Sequence, residues 1–385
     1  MKTQDAISVL NHYSTDCIDC GFCVTTCPQH LFGEYNPQEI ATQILRGSPS
    51  QEIIDLIERC DLCGLCTQGC MADLNPKKMV IAAREVLISQ GRINLDDFAV
   101  MQTDRDWNTF SIYRETFNIH YSDLEKPTCE ALFFPGCSLA TYTPVLTRAA
   151  YHWLEGQGIQ VGFSDLCCGK PLSSIGLRER AESLQQFLSA KMQTTGADTL
   201  ITACPSCFYQ LNSAMPGIKV VSLLHLMQAS GIRISDNDVA TIHDSCPDRE
   251  NLIFAEDVRL LLYKTNVVEM THHMQSLLCC GSGGIVSMVD PDLCEQRSQL
   301  RWQEFASSGA TKLITYCLSC AQRLARSSKD TPVSHILELI FGINVDYAQV
   351  QANLESMWKG EQGTANMERL AAAVRFSNDR GSDHG

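Results

Sequence analysis

Cys17-Ile18-Asp19-Cys20-Gly21-Phe22-Cys23-Val24-Thr25-Thr26-Cys27-Pro28 carries four cysteines on a C-x2-C-x2-C-x3-C spacing. The same spacing returns at Cys60, Cys63, Cys66 and Cys70. Three cysteines at intervals of three wrap a short loop, so that their thiolates converge on one iron–sulfur cube, while the fourth points away and serves a neighbouring cube. On that rule one [4Fe-4S] cluster takes Cys17, Cys20, Cys23 and Cys70. A second takes Cys60, Cys63, Cys66 and Cys27. Zinc held by two separated C-x2-C knuckles is the competing reading, but two identical four-cysteine runs do not divide naturally into such knuckles. Met71 stands where this pattern has proline after the last cysteine. Proline there shapes only the turn, so an altered loop is expected rather than a lost cluster.

The chain around these runs has 385 residues, of which 20 are cysteine. Its length suggests two to three domains, each able to bury a core. Hydrophobic residues make up 44% and charged residues 19%, which is ordinary globular composition rather than that of a disordered chain. A net charge of −14 argues against nucleic acid or an anionic membrane surface as the main partner. The first residues lack an apolar core of signal-peptide length, and no 18-residue apolar run occurs. The expectation is a cytoplasmic protein, membrane-associated only through a partner subunit. In that setting thiols stay reduced, and cysteines read as metal ligands before they read as disulfides.

Ten of the remaining twelve cysteines fall into two copies of one pattern. The first is Cys137, Cys167-Cys168-Gly169 and Cys204-Pro205-Ser206-Cys207. The second is Cys246, Cys279-Cys280-Gly281 and Cys317-Leu318-Ser319-Cys320. Cys246 follows Cys137 by 109 positions, Cys280 follows Cys168 by 112, and Cys317 follows Cys204 by 113. That near-constant offset signals an internal repeat, one domain per copy. Short apolar runs end at the cysteines: Phe133-Phe134-Pro135-Gly136 and Thr241–Ser245 before the first of each set, Leu200–Ala203 and Leu313–Tyr316 before the last pair. They alternate with helical stretches at 178–195 and 290–309, which predicts βα units and a parallel sheet. Cysteines on loops after strand ends would gather at one edge of that sheet. Adjacent cysteines on an extended backbone point apart, so each Cys-Cys pair is expected to chelate one metal poorly and to reach different irons of an enlarged cluster. The glycine after each pair is expected to let the backbone approach that cluster. Two zinc sites or plain structural thiols are the alternative. Cys129 and Cys294 have no counterpart.

The repeats, C-x29-CCG-x34-C-x2-C and C-x32-CCG-x35-C-x2-C, resemble the cysteine-rich CCG domain of heterodisulfide reductases. The resemblance covers about residues 129–342, with 10–95 resembling a ferredoxin-like domain. It implies an α+β and α/β multidomain chain, a helical ferredoxin-like domain followed by two tandem α/β CCG domains. The expected division is 1–95 ferredoxin-like, 96–128 connector, 129–235 and 236–345 CCG domains, and 346–385 a polar tail whose end, 377–385, looks disordered. The order is similar to that of fused heterodisulfide reductase subunits and of the iron–sulfur subunits of glycolate oxidase and anaerobic glycerol-3-phosphate dehydrogenase. By this resemblance Cys137, Cys167, Cys168, Cys204 and Cys207 would hold one noncubane [4Fe-4S] cluster, and Cys246, Cys279, Cys280, Cys317 and Cys320 another. A disulfide would be cleaved between them. In the family, histidine commonly follows the first cysteine of the second repeat and is the proposed proton donor. Here the stretch reads His243-Asp244-Ser245-Cys246-Pro247. Proline donates no proton, so the role is either unfilled or moved; His243, the nearest histidine, is the candidate catalytic residue, with His272 and His273 farther along.

Between the two cysteine runs, 37–45 and 51–58 read as short helices. Asn75-Pro76 starts a helix ending near Gly91, with Met79, Val80, Ala83 and Leu87 on a face that packs on the ferredoxin-like module or on a partner. Gly281-Ser282-Gly283-Gly284 lacks the spacing of a dinucleotide loop. With no flavin or nicotinamide fingerprint, the hydride chemistry would belong to a flavoprotein or other redox subunit, or a membrane quinone-reactive one. The expected function is an iron–sulfur oxidoreductase subunit passing electrons through two cubane clusters to paired noncubane clusters that reduce a disulfide or oxidise thiols. The alternative is a pure relay from a flavoprotein dehydrogenase to a quinone, ferredoxin or bifurcating partner.

Overall fold

The computed structural model describes residues 3–28, 33, 35–328 and 332–376; the expectation of disorder for 377–385 lies outside the described residues. The N-terminal module is helical. Helix Thr3–Asp16 packs on Pro37–Leu45 and Pro76–Ser89. The short helices begin where the sequence supplies caps: Asn36 Oδ1 accepts from the Glu39 amide at 2.8 Å, with Pro37 in the first turn. Met79, Val80, Ala83 and Leu87 are fully buried against Ile40, Ile44, Ile53 and Ile57. The apolar face of that helix therefore belongs to this module and not to an outside partner.

Two parallel four-stranded sheets follow. The first contains β1 (Ala131–Phe134), β2 (Val161–Phe163), β3 (Thr199–Thr202) and β4 (Lys219–Ser222); the second contains β5 (Val239–His243), β6 (Asn266–Val267), β7 (Lys312–Thr315) and β8 (Val333–His335). Their orders, β2-β1-β3-β4 and β6-β5-β7-β8, are identical. Central strands such as Ala131–Phe134 are buried along their whole length, as parallel strands covered on both faces must be. In each sheet the chain leaves β1 and β3, or β5 and β7, on opposite sides of a switch point. Crevices form there at the carboxyl ends of the strands.

The segment between the helical module and the first sheet is built into the molecule. Helix Thr109–Thr116 is capped by Asn108 and Ser111 and buries Ile112 and Tyr113. The polar C-terminal stretch also folds: helices Tyr347–Ser356 and Gly360–Ala372 bury Met357 and Leu370 in that same cluster. Glu338 anchors it by accepting from the Tyr347 hydroxyl and the Val345 amide.

Candidate metal centres

The two N-terminal cysteine runs adopt one backbone shape. Asp19 and Gly21 in the first run have φ of 52° and 72°, and Leu62 and Gly64 in the second have 59° and 76°. Left-handed conformations at Asp19 and Leu62 are costly for such residues and mark loops held by their surroundings. Two cavities result. One is lined by Cys17, Cys20, Cys23 and Cys70 together with Cys66 and Tyr13. The other is lined by Cys27, Cys60, Cys63 and Cys66, and also by Cys279 and Arg297 of the second sheet domain. The amides of Leu62 and Leu74 donate to the sulfurs of Cys60 and Cys70 at 3.4 and 3.3 Å. Met71 is largely exposed.

In each sheet domain the five repeat cysteines lie beyond the strand ends. Cys137 follows β1, Cys167 and Cys168 follow β2, and Cys204 and Cys207 follow β3. Sulfur contacts run from Cys137 to Cys167, Cys167 to Cys168, Cys168 to Cys207 and Cys207 to Cys204. The second domain repeats the series through Cys246, Cys279, Cys280, Cys320 and Cys317, with Cys280 and Cys320 at 3.2 Å. Adjacent cysteines therefore do not point apart as expected. Residues 164–168 form a loop rather than a strand, so strand alternation does not govern them. Gly169 and Gly281, after the pairs, have φ of 84° and 88°, and a Cβ there would strike the backbone at Ala181 and Cys294. Their missing side chains let a helix pack against each loop.

Crowded, buried thiols of this kind suit a metal core. Burial, for example, pushes the Cys63 thiol up to about 12. Buried hydroxyls without hydrogen-bond partners stand beside the sulfurs. Thr103 Oγ1 lies next to Cys167, and the Tyr13 hydroxyl lies among Cys17, Cys23, Cys66 and Cys70. Orphaned donors aimed at sulfur-lined space, with an all-thiolate donor set, fit iron–sulfur clusters. Sequence reasoning misses Tyr13 because it misses the first helix; Ala6, Leu10 and Tyr13, all buried, carry the helical spacing that reveals it.

His243 is buried at the end of β5, where it pairs in register with Thr315. Its ring and the sulfurs of Cys280 and Cys320 offer ligand atoms within 4.8 Å of one another. Arg301 Nε donates to its Nδ1 at 3.2 Å. His272 instead binds Glu304, and His273 Nδ1 lies 2.9 Å from the Met270 carbonyl. Neither is brought to the cysteines. Pro247 follows Cys246 in a short 3-10 turn. Cys129 and Cys294 are core residues: a Cβ on Gly162 would meet the Cys129 sulfur, and the Cys294 carbonyl abuts Gly281.

The two sheet domains face each other across their cysteine loops. Ser138 and Ser319 hydroxyls lie 3.0 Å apart, Tyr209 donates to Asp248 at 2.5 Å, and Phe208 packs edge-on to Phe254. The helical module joins the second domain most closely. Arg249 Nε donates to the Cys63 carbonyl at 3.2 Å, Arg297 pairs with Asp61, and Gly283 and Gly284 sit against the Asp61 and Cys60 carbonyls. The glycine run of the second repeat is thus a docking seam. Arg84, fully buried, gathers the Ile57, Glu58 and Cys60 carbonyls and reaches Ser174 of the first domain. Cys63 and Cys246 lie near each other across the seam.

Comparison with known proteins agrees with this architecture. The family model for the cysteine-rich CCG domain matches residues 131–212 and 240–325, and that for a 4Fe-4S dicluster domain matches 16–75. An uncharacterized iron-sulfur protein of Methanococcus maripaludis is 25% identical over 84% of this chain and 72% of its own length. One component of the fumarate reductase (CoM/CoB) of Methanothermobacter marburgensis is 24% identical over 84% of this chain and 71% of its own. One component of the dihydromethanophenazine:CoB--CoM heterodisulfide reductase of Methanosarcina barkeri is 23% identical over 84% of this chain and 92% of its own. Among the described residues no helix is long and apolar enough to cross a membrane.

Proposed function

As an iron–sulfur protein that joins a 4Fe-4S dicluster domain to two CCG cysteine-rich domains, the chain is an electron-transfer component of an oxidoreductase system, and we propose that it is a heterodisulfide-reductase-like subunit whose paired CCG sites reduce a disulfide or oxidise thiols. In this reading Cys17, Cys20, Cys23 and Cys70 hold one cubane cluster, and Cys60, Cys63, Cys66 and Cys27 hold the other. The two five-cysteine sets hold noncubane clusters. The clusters supply the one-electron steps, and the protein supplies binding, orientation and protons. A disulfide takes up two electrons and two protons and leaves as two thiols.

The observation that carries the reading is the pair of complete five-sulfur groups on loops that meet through Ser138 and Ser319. A substrate bridging them would have one sulfur near each group. His243 is the ring nearest the second group and serves as its N–H donor. The other reading, a relay between a flavoprotein and a quinone-reactive or other redox partner, is favoured by Pro247, which leaves the position after Cys246 without a proton donor. Anaerobically prepared protein should contain about 16 iron and 16 acid-labile sulfide, at four of each per cluster. A count near eight would leave the dicluster domain alone and sink the CCG assignment. With the count met, a paramagnetic species appearing only with added thiol is expected for disulfide chemistry. Its absence favours the relay.

A further inference from the structure

The two CCG sites differ in what surrounds them. Phe134 and His243 occupy the same place, each the last residue of its strand and each in register with the threonine two positions before a ligand pair, Thr202 or Thr315. The helix behind each site starts 113 positions apart, at Arg178 and at Pro291, so Leu188 corresponds to Arg301. All four residues are buried. The first site therefore has a phenylalanine backed by a leucine where the second has a histidine backed by an arginine. Arg301 is held on every side: its guanidinium also donates to the His272 carbonyl and to Glu304 and touches the Met270 sulfur. A guanidinium has no acceptor atom and stays protonated, so its contact with Nδ1 makes that nitrogen the acceptor. The ring hydrogen is then on Nε2, the one ring donor left for the sulfurs of Cys280 and Cys320.

We propose that Arg301 is a positioning residue that fixes His243 as an Nε2–H donor to the Cys280/Cys320 sulfurs, and so sets the second CCG cluster at a higher reduction potential than the first. The proposal rests on the reading that the repeat cysteines hold clusters. Hydrogen bonds to ligand sulfur offset the charge gained on reduction and raise the potential, and residues that orient such donors act through them. The first site, with Phe134 and Leu188, has no such donor at this place. The second site also borders the dicluster cavity, through Cys279 and Arg297. Electrons from the dicluster domain thus reach the better acceptor first.

The test is anaerobic redox titration of the full chain followed by electron paramagnetic resonance, with the first CCG site as internal reference. Arg301→Met, which keeps bulk and removes the donor, should lower the second-site midpoint and leave the first unchanged. His243→Gln supplies its own N–H without Arg301, so in that background Arg301→Met should shift nothing further. An equal shift in both backgrounds would mean that the guanidinium acts by charge alone and would overturn the proposal. So would a midpoint unmoved by Arg301→Met. If that variant loses about four irons, Arg301→Lys carries the test instead. A partial lowering that vanishes beside His243→Gln supports the proposal, and a wild-type midpoint overturns it. Low iron in the unmodified protein would be the separate failure of the cluster reading.

Discussion

The two CCG domains keep the same cage and change its lining. In both, the threonine at the strand end accepts from the amide of the next ligand, Thr202 from Cys204 at 3.3 Å and Thr315 from Cys317 at 3.4 Å. In both, the following helix holds the carbonyl of the Cys-Cys pair, through Gln185 at 3.2 Å and Ser298 at 2.8 Å. Around that shared frame the first domain buries Phe134, Leu139, Ala140, Leu184, Leu188 and Ala203, where the second buries His243, Asp248, Arg249, Arg297, Arg301 and Tyr316. Buried polar groups are costly unless each is paired. The second domain meets part of that cost with partners from outside itself, the Cys63 carbonyl for Arg249, Asp61 for Arg297 and Tyr209 for Asp248. The two copies share their arrangement of cysteines; the polar lining goes with the copy on which the helical module docks.

The sharpest way to break this contrast is to give the second domain a residue of the first. Arg297→Leu leaves the Asp61 carboxylate buried and alone, and should cost about 3–5 kcal/mol, measured as the loss in anaerobic urea stability. Adding Asp61→Asn should recover part of that loss. A single variant as stable as the parent would show that the seam does not need the pair.

The fourth strands offer a second contrast. Ser222 caps the helix after β4, and His335 caps the helix after β8, its Nδ1 accepting from the Leu337 amide. Burial lowers the His335 pKa from 6.5 to about 4. As pH falls below 6.5 the unfolded chain takes up a proton that the folded chain refuses. Stability should therefore decline by about 3 kcal/mol between pH 6.5 and 4, then level off. Urea midpoints across that range should show the decline, and His335→Ser should flatten it.

Next come the glycines. Gly169→Ala and Gly281→Ala both force a left-handed residue, at about 1–2 kcal/mol. Gly281→Ala should cost more, because its Cβ would lie 2.5 Å from the Cys294 carbonyl oxygen against 2.9 Å from that of Ala181. Equal melting temperatures would show that the two loops relax alike. The smallest effect is expected from Ser222→Ala, about 1 kcal/mol from loss of the cap, read from the same melts.

Much of this was legible because local signals agreed with the fold. Asn36-Pro37 and Ser50 mark helix starts that match the expected helices 37–45 and 51–58. The runs 133–134, 200–202, 241–243 and 313–315 fall on central strands, where burial on both faces writes itself as continuous apolar sequence. The outer strands escaped notice. Asn266–Val267 has two residues, and Lys219–Ser222 is only partly buried, so neither carries a pattern. The cysteine spacing announced metal chemistry, but not the convergence of each Cys-Cys pair, which follows from a loop shape that no periodicity encodes. Arg84 and Arg301 were unreadable for another reason. A buried arginine makes sense only through its acceptors, and theirs, Glu304 aside, come from segments distant in the chain.

Arg249 reaches the Cys63 carbonyl across 186 positions. A ribosome adding about 5–20 residues per second needs roughly 10–40 s to cover that distance. During that interval the loop bearing Cys60, Cys63 and Cys66 has emerged, while the arginines and glycines that close over it are still unmade. The first-made module is thus among the last to be completed. Its second cysteine loop stays uncovered for as long as the rest of the chain is being synthesised.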